Sequence, residues 1–176
     1  MATSLFLTSF FPYVLLSILF TSTIVKGEDL VTKVCVKTPD PSLCEKLLRL
    51  NPDSKTADLQ TLGVIAFSLT SDLIVSTSDR VRSLRDNATN PKLKEQYSTC
   101  SSAYYATLMD RENGREFFMA KGYGQVNYFM TIALGNLRGC DKGFQSKFLD
   151  QDEKLKQASL SLQQYCFAII VIGVLL

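Results

Sequence analysis

The 176-residue sequence contains no histidine and five cysteines. The absence of histidine excludes Ser-His-Asp and Cys-His catalytic arrangements, together with every histidine metal site. Cys35 and Cys44 stand close together, but there is no second close cysteine pair to complete four zinc ligands. The formal net charge is +2, so nothing predicts a nucleic-acid partner. We therefore expect no metal and no cofactor.

Two other kinds of functional motif are weakly represented. Most Asp and Glu residues fall on the polar faces of predicted helices, where solvated charges are much commoner than catalytic acids. The stretch "GYGQVN" (residues 122–127) lacks the third glycine and the preceding strand of a phosphate-binding loop, so it predicts a break in a helix. We expect the chain not to be an enzyme.

The first 25 residues carry no charged side chain, which is typical of a secretory signal peptide. The small residues Val25 and Gly27 predict cleavage after Gly27. An uncleaved signal anchor is the alternative, but Pro12 interrupts the apolar run and no stop-transfer charge cluster follows. Residues 1–27 contain one lysine and no acid, so the secreted chain, residues 28–176, would carry a net charge of 2 − 1 = +1.

The stretch "CVKTPDPSLC" runs from Cys35 to Cys44. Because disulfides persist in oxidising compartments, secretion makes a bridge between these two cysteines the favoured interpretation. The two prolines of "TPDP" predict a chain reversal, and the capping-box pattern from Ser42 to Glu45 predicts the start of a second helix. We expect a disulfide-closed helical hairpin over residues 28–52, stabilised by about 2.5–3 kcal/mol through loop-closure entropy.

From residue 53 onward, hydrophobic residues recur at alternating steps of three and four, which is typical of amphipathic helices. One predicted helix runs from Thr56 to about Asp86. The next begins at the cap Asn90 and ends at Asn113-Gly114. A further segment from about Arg115 to Leu137 is divided into two pieces by "KGYG". The predicted core stripes contain Leu59, Leu62, Ala66, Leu69 and Leu73; Leu93, Tyr97, Cys100 and Tyr104; Val126, Met130, Ala133 and Leu137; and Leu155, Ala158, Leu162, Tyr165, Ile169, Ile172 and Leu176.

These patterns predict an all-α fold: an up-and-down four-helix bundle over residues 53–176 with the N-terminal hairpin appended. Cys100 and Cys140 lie on core stripes and could face each other, closing a loop worth about 4 kcal/mol. Five cysteines still permit fifteen ways of forming two bridges. Cys166 is left over, and a buried free thiol is favoured over an intermolecular bridge because its neighbours are apolar.

Two surface features concern processing. Asn87-Ala-Thr89 is a glycosylation sequon in a polar connection, which agrees with secretion. The tail "FAIIVIGVLL" fits loosely the end of a lipid-anchor signal, with Ser159 or Ser161 as the attachment residue. A core helix is the favoured interpretation, because the apolar stripe continues through the tail with no polar spacer. We expect no stable membrane anchor.

Taken together, the stretches "CVKTPDPSLC", "SKTADLQTLGVIA", "CSSAYYATL" and "IALGNLRGCDKGF" resemble the plant invertase and pectin methylesterase inhibitors. "TADLQTLGVI" is most similar to the branch that includes secreted pollen proteins assigned provisionally to the invertase inhibitors. The resemblance covers the whole secreted chain. It implies disulfides Cys35–Cys44 and Cys100–Cys140. It also implies a secreted, apoplastic protein that reversibly inhibits a cell-wall or vacuolar carbohydrate enzyme.

The resemblance also implies where the target is contacted. The better-known invertase inhibitors carry a Pro-Lys-Phe loop between the third and fourth cysteines, whereas this chain has "AKGYGQ", residues 120–125. The difference favours pectin methylesterase slightly over invertase as the target, with Lys121 and Tyr123 as candidate contacts. We expect the free inhibitor to be a monomer that forms a one-to-one complex. A carrier that holds an apolar ligand inside the bundle is the alternative function.

Overall fold

A computed structural model describes residues 29–144 and 152–176. Within these ranges the protein consists of helices and connecting turns, without strands, which confirms the predicted all-α class. The predicted signal peptide lies outside the described residues. In chain order the elements are α1 (Leu30–Cys35), α2 (Pro41–Leu48), a 3₁₀ turn (Pro52–Lys55), α3 (Leu59–Asn87), α4 (Pro91–Met119), α5 (Tyr123–Phe144) and α6 (Glu153–Leu175).

Short polar side chains begin the helices. An aspartate or asparagine at each capped N-terminus accepts a hydrogen bond from a backbone N–H of the first turn, which satisfies a donor that the helix leaves unpaired. The predicted cap Asn90, followed by Pro91, is confirmed at α4. The predicted capping box at Ser42 is wrong, because the side chain of Asp40 caps α2 and Pro41 is its first residue.

Helices α3 to α6 form the predicted four-helix bundle. Each packs against two neighbours, and α6 closes the bundle by returning to α3. The predicted stripes face the core, and the largest side chains that are fully buried include Phe67, Tyr104, Phe118, Met130 and Leu162. At the far end of α6, Leu176 leaves the stripe and is exposed.

The expected end of the second bundle helix at Asn113-Gly114 is wrong. Helix α4 continues for another turn and a half to Met119, and Gly114 is buried inside it. A Cβ atom at Gly114 would lie 2.8 Å from Cε of Met130, so the missing side chain allows α4 and α5 to approach closely. At Gly63 the space is tighter, since a Cβ there would lie 2.1 Å from Cζ of Phe118. These glycines serve packing between helices.

The start of α6 is fixed by an ion pair. Arg80 on α3 donates to both carboxylate oxygens of Asp152 at 2.7–3.1 Å. The same carboxylate caps α6 by accepting from the N–H of Leu155 at 3.0 Å. Asp152 is 8% exposed, so this bidentate contact is shielded on one side and orients α6 against α3.

The N-terminal hairpin, α1 with α2, lies against α6. Gln164 donates to Oγ1 of Thr38 at 2.7 Å and to the carbonyl of Asp40 at 2.6 Å. One residue further along α6, the hydroxyl group of Tyr165 reaches the carbonyl of Leu47 at 3.4 Å. Polar contacts of this kind add to the apolar contacts of buried residues such as Val34 and Leu48.

By length and composition alone, α3 and α6 could each cross a membrane. Both nevertheless contribute core residues to the bundle, and half of the most apolar window of α6 is buried there. Long apolar helices of soluble bundles pass the same test, so these windows carry no argument for an anchor.

Candidate functional site

The structure joins Cys35 to Cys44 and Cys100 to Cys140. The first bridge closes the hairpin, with its Cα atoms 5.5 Å apart. The second connects α4 to α5 at a Cα separation of 4.6 Å. Cys166 is a buried free thiol on α6, and burial raises its pKa to about 12. Because the thiolate is the reactive form, this cysteine is chemically inert at ordinary pH.

The stretch "KGYG" forms the tight turn between α4 and α5. The N–H of Gly122 donates to the carbonyl of Phe117 at 2.8 Å, and the N–H of Lys121 donates to the carbonyl of Phe118 at 3.1 Å. These two bonds define a Schellman motif, in which the residue after the cap adopts a left-handed backbone and is usually glycine. Here that residue is Lys121, with φ = 61°, and its side chain is exposed.

Tyr123, the second candidate contact, has a different environment from Lys121. It is half-buried, and its hydroxyl group donates to Oε1 of Gln60 on α3 at 3.1 Å. Its ring meets that of Phe118 edge to face, with centroids 5.8 Å apart. Tyr123 therefore fastens the start of α5 to the bundle and has little free surface, whereas Lys121 is fully available to a partner.

An exposed aromatic surface adjoins this turn. We use the name aromatic surface for Phe117, Tyr128, Phe129 and Ile132, which lie where α4 meets α5. The rings of Phe117 and Phe129 stack with centroids 5.7 Å apart, and Tyr128 meets Phe129 edge to face at 5.3 Å. Ile132 follows Tyr128 by one helical turn. Tyr128 is 63% exposed and Phe117 is 37% exposed, so apolar area remains available for contact.

A buried arginine joins α4 to α3 on the part of α4 that precedes the aromatic surface. Arg111 on α4 is buried, and its guanidinium group donates to the carbonyl of Phe67 on α3 at 2.7 and 3.1 Å. It also pairs with Glu112. Burial lowers the pKa of Arg111, although its usual pKa is high enough that the group stays charged. The guanidinium group thus holds α4 against α3.

Sequence reasoning missed the aromatic surface because it assigned aromatic residues to the core. A usable signal exists in the pairs Phe117-Phe118 and Tyr128-Phe129. Adjacent residues of a helix point about 100° apart, so both members of a pair cannot face the core equally. Phe118 is fully buried while Phe117 is partly exposed, and Phe129 is partly buried while Tyr128 is exposed.

The sequon residue Asn87 is the last residue of α3 and is exposed. Its side-chain amide donates to the carbonyl of Ser83 at 2.8 Å, along the exposed last turn of the helix. The side chain is therefore sterically accessible to a modifying enzyme.

Open grooves lie along the seams between helices. One groove of about 410 Å³ runs between α3 and α4, and its lining includes Val75 and Tyr105. Another of about 330 Å³ lies between the hairpin, α3 and α6, beside Leu50 and Tyr165. Both are surface features, whereas the bundle interior is filled by large side chains. Across residues 29–144 and 152–176, the acidic residues and cysteines form no metal-binding group.

The fold and these surfaces define a class of protein: a helical bundle with two disulfides, whose exposed surface is suited to binding another protein. A family model described as plant invertase/pectin methylesterase inhibitor matches residues 29–169. The chain belongs to this family, as its sequence resemblance indicates.

The similar proteins with names include pectinesterase inhibitors and proteins whose names refer to invertase inhibition. A pectinesterase inhibitor from Actinidia deliciosa is 33% identical over 182 residues, covering 100% of this chain and 98% of the relative. A protein from Platanus acerifolia, assigned provisionally by its name to the invertase inhibitors, is 29% identical over 135 residues, covering 76% of this chain and 74% of its own. Among solved structures, a mutant form of a pectin methylesterase inhibitor from Arabidopsis superposes with a TM-score of 0.75 at 23% identity, covering 83% of this chain and 96% of that one, which supports the fold.

Proposed function

We propose that this protein is a secreted inhibitor of a plant cell-wall carbohydrate enzyme, with pectin methylesterase as the favoured target. The observation that carries the proposal is the aromatic surface beside the α4–α5 turn. Exposed Tyr and Phe side chains on rigid helices provide the kind of contact area on which stable protein–protein interfaces depend. Inhibition would then follow from a one-to-one complex in which the bundle covers the target's active-site cleft.

The shape of the turn favours a broad contact over an inserted loop. Residues 120–122 complete a Schellman motif closed by two backbone hydrogen bonds, so the connection between α4 and α5 is a tight turn and not a projecting loop. The absence of a Pro-Lys-Phe loop agrees with this geometry and favours pectin methylesterase over invertase.

Invertase remains the second candidate target, for two reasons. Lys121 presents an exposed ammonium group at the tip of the bundle, where it could meet acidic groups of a glycosidase. The relative from Platanus acerifolia also carries a provisional name on the invertase side of the family. An apolar-ligand carrier is the weaker alternative, because the described grooves lie at the surface.

The deciding experiment titrates the purified secreted protein against a plant pectin methylesterase and a cell-wall invertase side by side. We expect stoichiometric inhibition of the esterase and little effect on the invertase. Potent inhibition of invertase alone would reverse the choice of target, and no complex with either enzyme would remove the inhibitor hypothesis.

Substitutions then locate the contact. We expect Tyr128→Ala to weaken inhibition by about 2 kcal/mol, as truncation of an interface aromatic does. The matched control is Tyr105→Ala, which removes an equally exposed tyrosine, 66% exposed, from the α3–α4 groove. Lys121→Ala and Tyr123→Ala should each weaken inhibition by less than about 2 kcal/mol, since neither projects as a loop hot spot. A larger loss at Tyr105 than at Tyr128 would place the interface elsewhere.

We also propose that residues 28–176 form the mature unit of this apoplastic protein, with the leader 1–27 removed and Asn87 glycosylated. The exposure of Asn87 at the end of α3 supports its modification. The intact mass of secreted material, before and after removal of N-linked glycans, reports both events.

A further inference from the structure

The α3–α4 groove lies between two rows of side chains that repeat at the helical period. Its lining includes Val75, Asp79 and Arg82 from α3, and Ser101, Tyr105 and Leu108 from α4. Consecutive helices of an up-and-down bundle run antiparallel, so Val75 lies towards Tyr105 and Leu108, while Arg82 lies towards Ser101. The groove therefore has an apolar end and a polar end. Its volume of about 410 Å³ lies within the range of about 300–1,000 Å³ that is typical of small-ligand sites.

Tyr105 offers a free aromatic face at the apolar end. The side chain is 66% exposed, and across the described part of the chain its ring contacts no other ring. The rings of Phe117 and Phe129, in contrast, stack on each other. Val75 is half exposed beside Tyr105. Together these two side chains form an open apolar platform.

Three serine hydroxyl groups in the groove are available to a ligand. Ser78, Ser101 and Ser102 make no side-chain hydrogen bond within residues 29–144 and 152–176. Ser76 and Ser98, on the same two helices, instead donate to a backbone carbonyl of the preceding turn. The groove serines thus keep both a donor and an acceptor for a bound molecule.

Asp79 and Arg82 supply the charged groups of the polar end. Nη1 of Arg82 donates to Oδ1 of Asp79 at 3.1 Å, and both side chains are more than half exposed. The contact uses one guanidinium nitrogen and one carboxylate oxygen, which leaves further donors and acceptors for a ligand. Because the two formal charges cancel, the residues that line the groove carry no net charge. This lining favours a neutral ligand with many hydrogen-bonding groups over an anion.

We propose that the α3–α4 groove binds a neutral saccharide chain. A pyranose ring has a face of C–H groups and an edge of hydroxyl groups, each of which both donates and accepts. The C–H face rests on the platform of Tyr105 and Val75. The hydroxyl edge meets the groove serines and the Asp79–Arg82 pair, in which the carboxylate accepts from one hydroxyl group and the guanidinium group donates to another. A purely apolar ligand would leave the polar end without partners.

The saccharide site and the aromatic surface lie at different levels of the bundle. Tyr105 precedes Phe117 by twelve residues on α4, which corresponds to about 18 Å along the helix axis. The groove is formed with α3, whereas the aromatic surface is formed with α5. Saccharide binding therefore does not depend on the identity of the target enzyme, and a saccharide in the groove leaves the aromatic surface free.

The test records backbone amide NMR spectra of the secreted protein during titration with three probes. Cellohexaose and methyl-esterified oligogalacturonide are neutral, and de-esterified oligogalacturonide is anionic. We expect at least one neutral probe to shift the amide signals of groove residues such as Ser102 and Tyr105, and the anionic probe to bind more weakly. No shift with either neutral probe, or tighter binding of the anionic probe, would overturn the proposal.

Substitutions separate this site from the enzyme interface. Tyr105→Ala should weaken saccharide binding about tenfold because it removes the platform, whereas Tyr105→Phe keeps the ring and should bind like the wild type. The matched control Tyr128→Ala removes an equally exposed tyrosine from the aromatic surface and should leave saccharide binding unchanged. Equal saccharide affinity in Tyr105→Ala and the wild type would refute the site. Groove signals that respond to the target enzyme and to no saccharide would refute it as well, because the groove would then be a protein interface.

Discussion

The N-terminal hairpin and the four-helix bundle are stabilised in different ways. The hairpin consists of two short helices that cannot bury a core between them, and it relies on the Cys35–Cys44 bridge and on docking to α6. The bundle has four helices of 22 to 29 residues with continuous apolar stripes. We therefore expect the hairpin to depend on the bundle more than the bundle depends on the hairpin.

The kinds of contact in the two regions agree with this difference in stability. Gln164 meets the hairpin through an amide that bonds to Thr38 and to the backbone of Asp40. Within the bundle, Phe118 packs directly against the backbone of α3 at Gly63. A few polar bonds contribute about 1 kcal/mol each, whereas a large buried side chain contributes several.

The largest expected effect concerns the two disulfides. Removing the Cys100–Cys140 bridge with Cys100→Ser should cost about 4 kcal/mol, and removing Cys35–Cys44 with Cys35→Ser about 2.5–3 kcal/mol, because the longer loop restricts the unfolded chain more strongly. Urea midpoints measure both. An equal or reversed order would show that the hairpin contributes as much to stability as the bundle does.

The pairing of the cysteines can be checked separately. Denatured, unreduced protein should contain one titratable thiol, Cys166, and two or more would contradict the pairing.

A smaller effect on stability should distinguish local unfolding of the hairpin from unfolding of the bundle. Gln164→Leu removes the buried hydrogen bond to Oγ1 of Thr38 and the partly buried one to the carbonyl of Asp40, which should cost about 1–3 kcal/mol. Hydrogen exchange should accelerate in α1 and α2 while the core of α4 and α5 stays protected. The matched control is Gln157→Leu, an exposed glutamine of the same helix whose side-chain amide donates to Glu153. Equal acceleration throughout both regions would mean that hairpin and bundle unfold as one unit.

The smallest effect lies at the tip of the bundle. Lys121→Gly removes the strain of a left-handed backbone at a non-glycine residue and should stabilise the fold by about 0.5–1 kcal/mol. Thermal or urea unfolding checks the stability, and the esterase titration checks function in the same variant. Destabilisation would show that the lysine side chain contributes more to the fold than its exposed position indicates.

Much of the fold could be predicted because its signals are local. The stripes that contain Tyr97, Cys100 and Tyr104, or Leu162 and Tyr165, repeat at the helical period and are buried. Asn90 and Pro91 define the start of α4 through the chemistry of one helical turn. The end of α4 could not be predicted in this way, because Gly114 carries the local signal of a helix end although it lies inside a helix.

The candidate site was predicted less well for a related reason. Lys121 is exposed as expected, but Tyr123 belongs to the packing between α5 and α3. Tyr128 and Phe117 carry the exposed area and were not predicted. Their exposure depends on which side of each helix a neighbouring helix covers, and this packing cannot be predicted from the sequence of a single helix.

The sequence by itself determined the helical periods, the N-terminal caps, the cysteine spacing and the absence of histidine chemistry, because each depends on residue type and short separation along the chain. Only the tertiary structure decided that Gly114 fits against Met130, that Gln164 holds the hairpin, and that Asp79 and Tyr105 line one groove. These features depend on groups that come from different helices. Their positions follow from the packing of the whole bundle, in which a few tenths of an ångström decide whether two side chains meet.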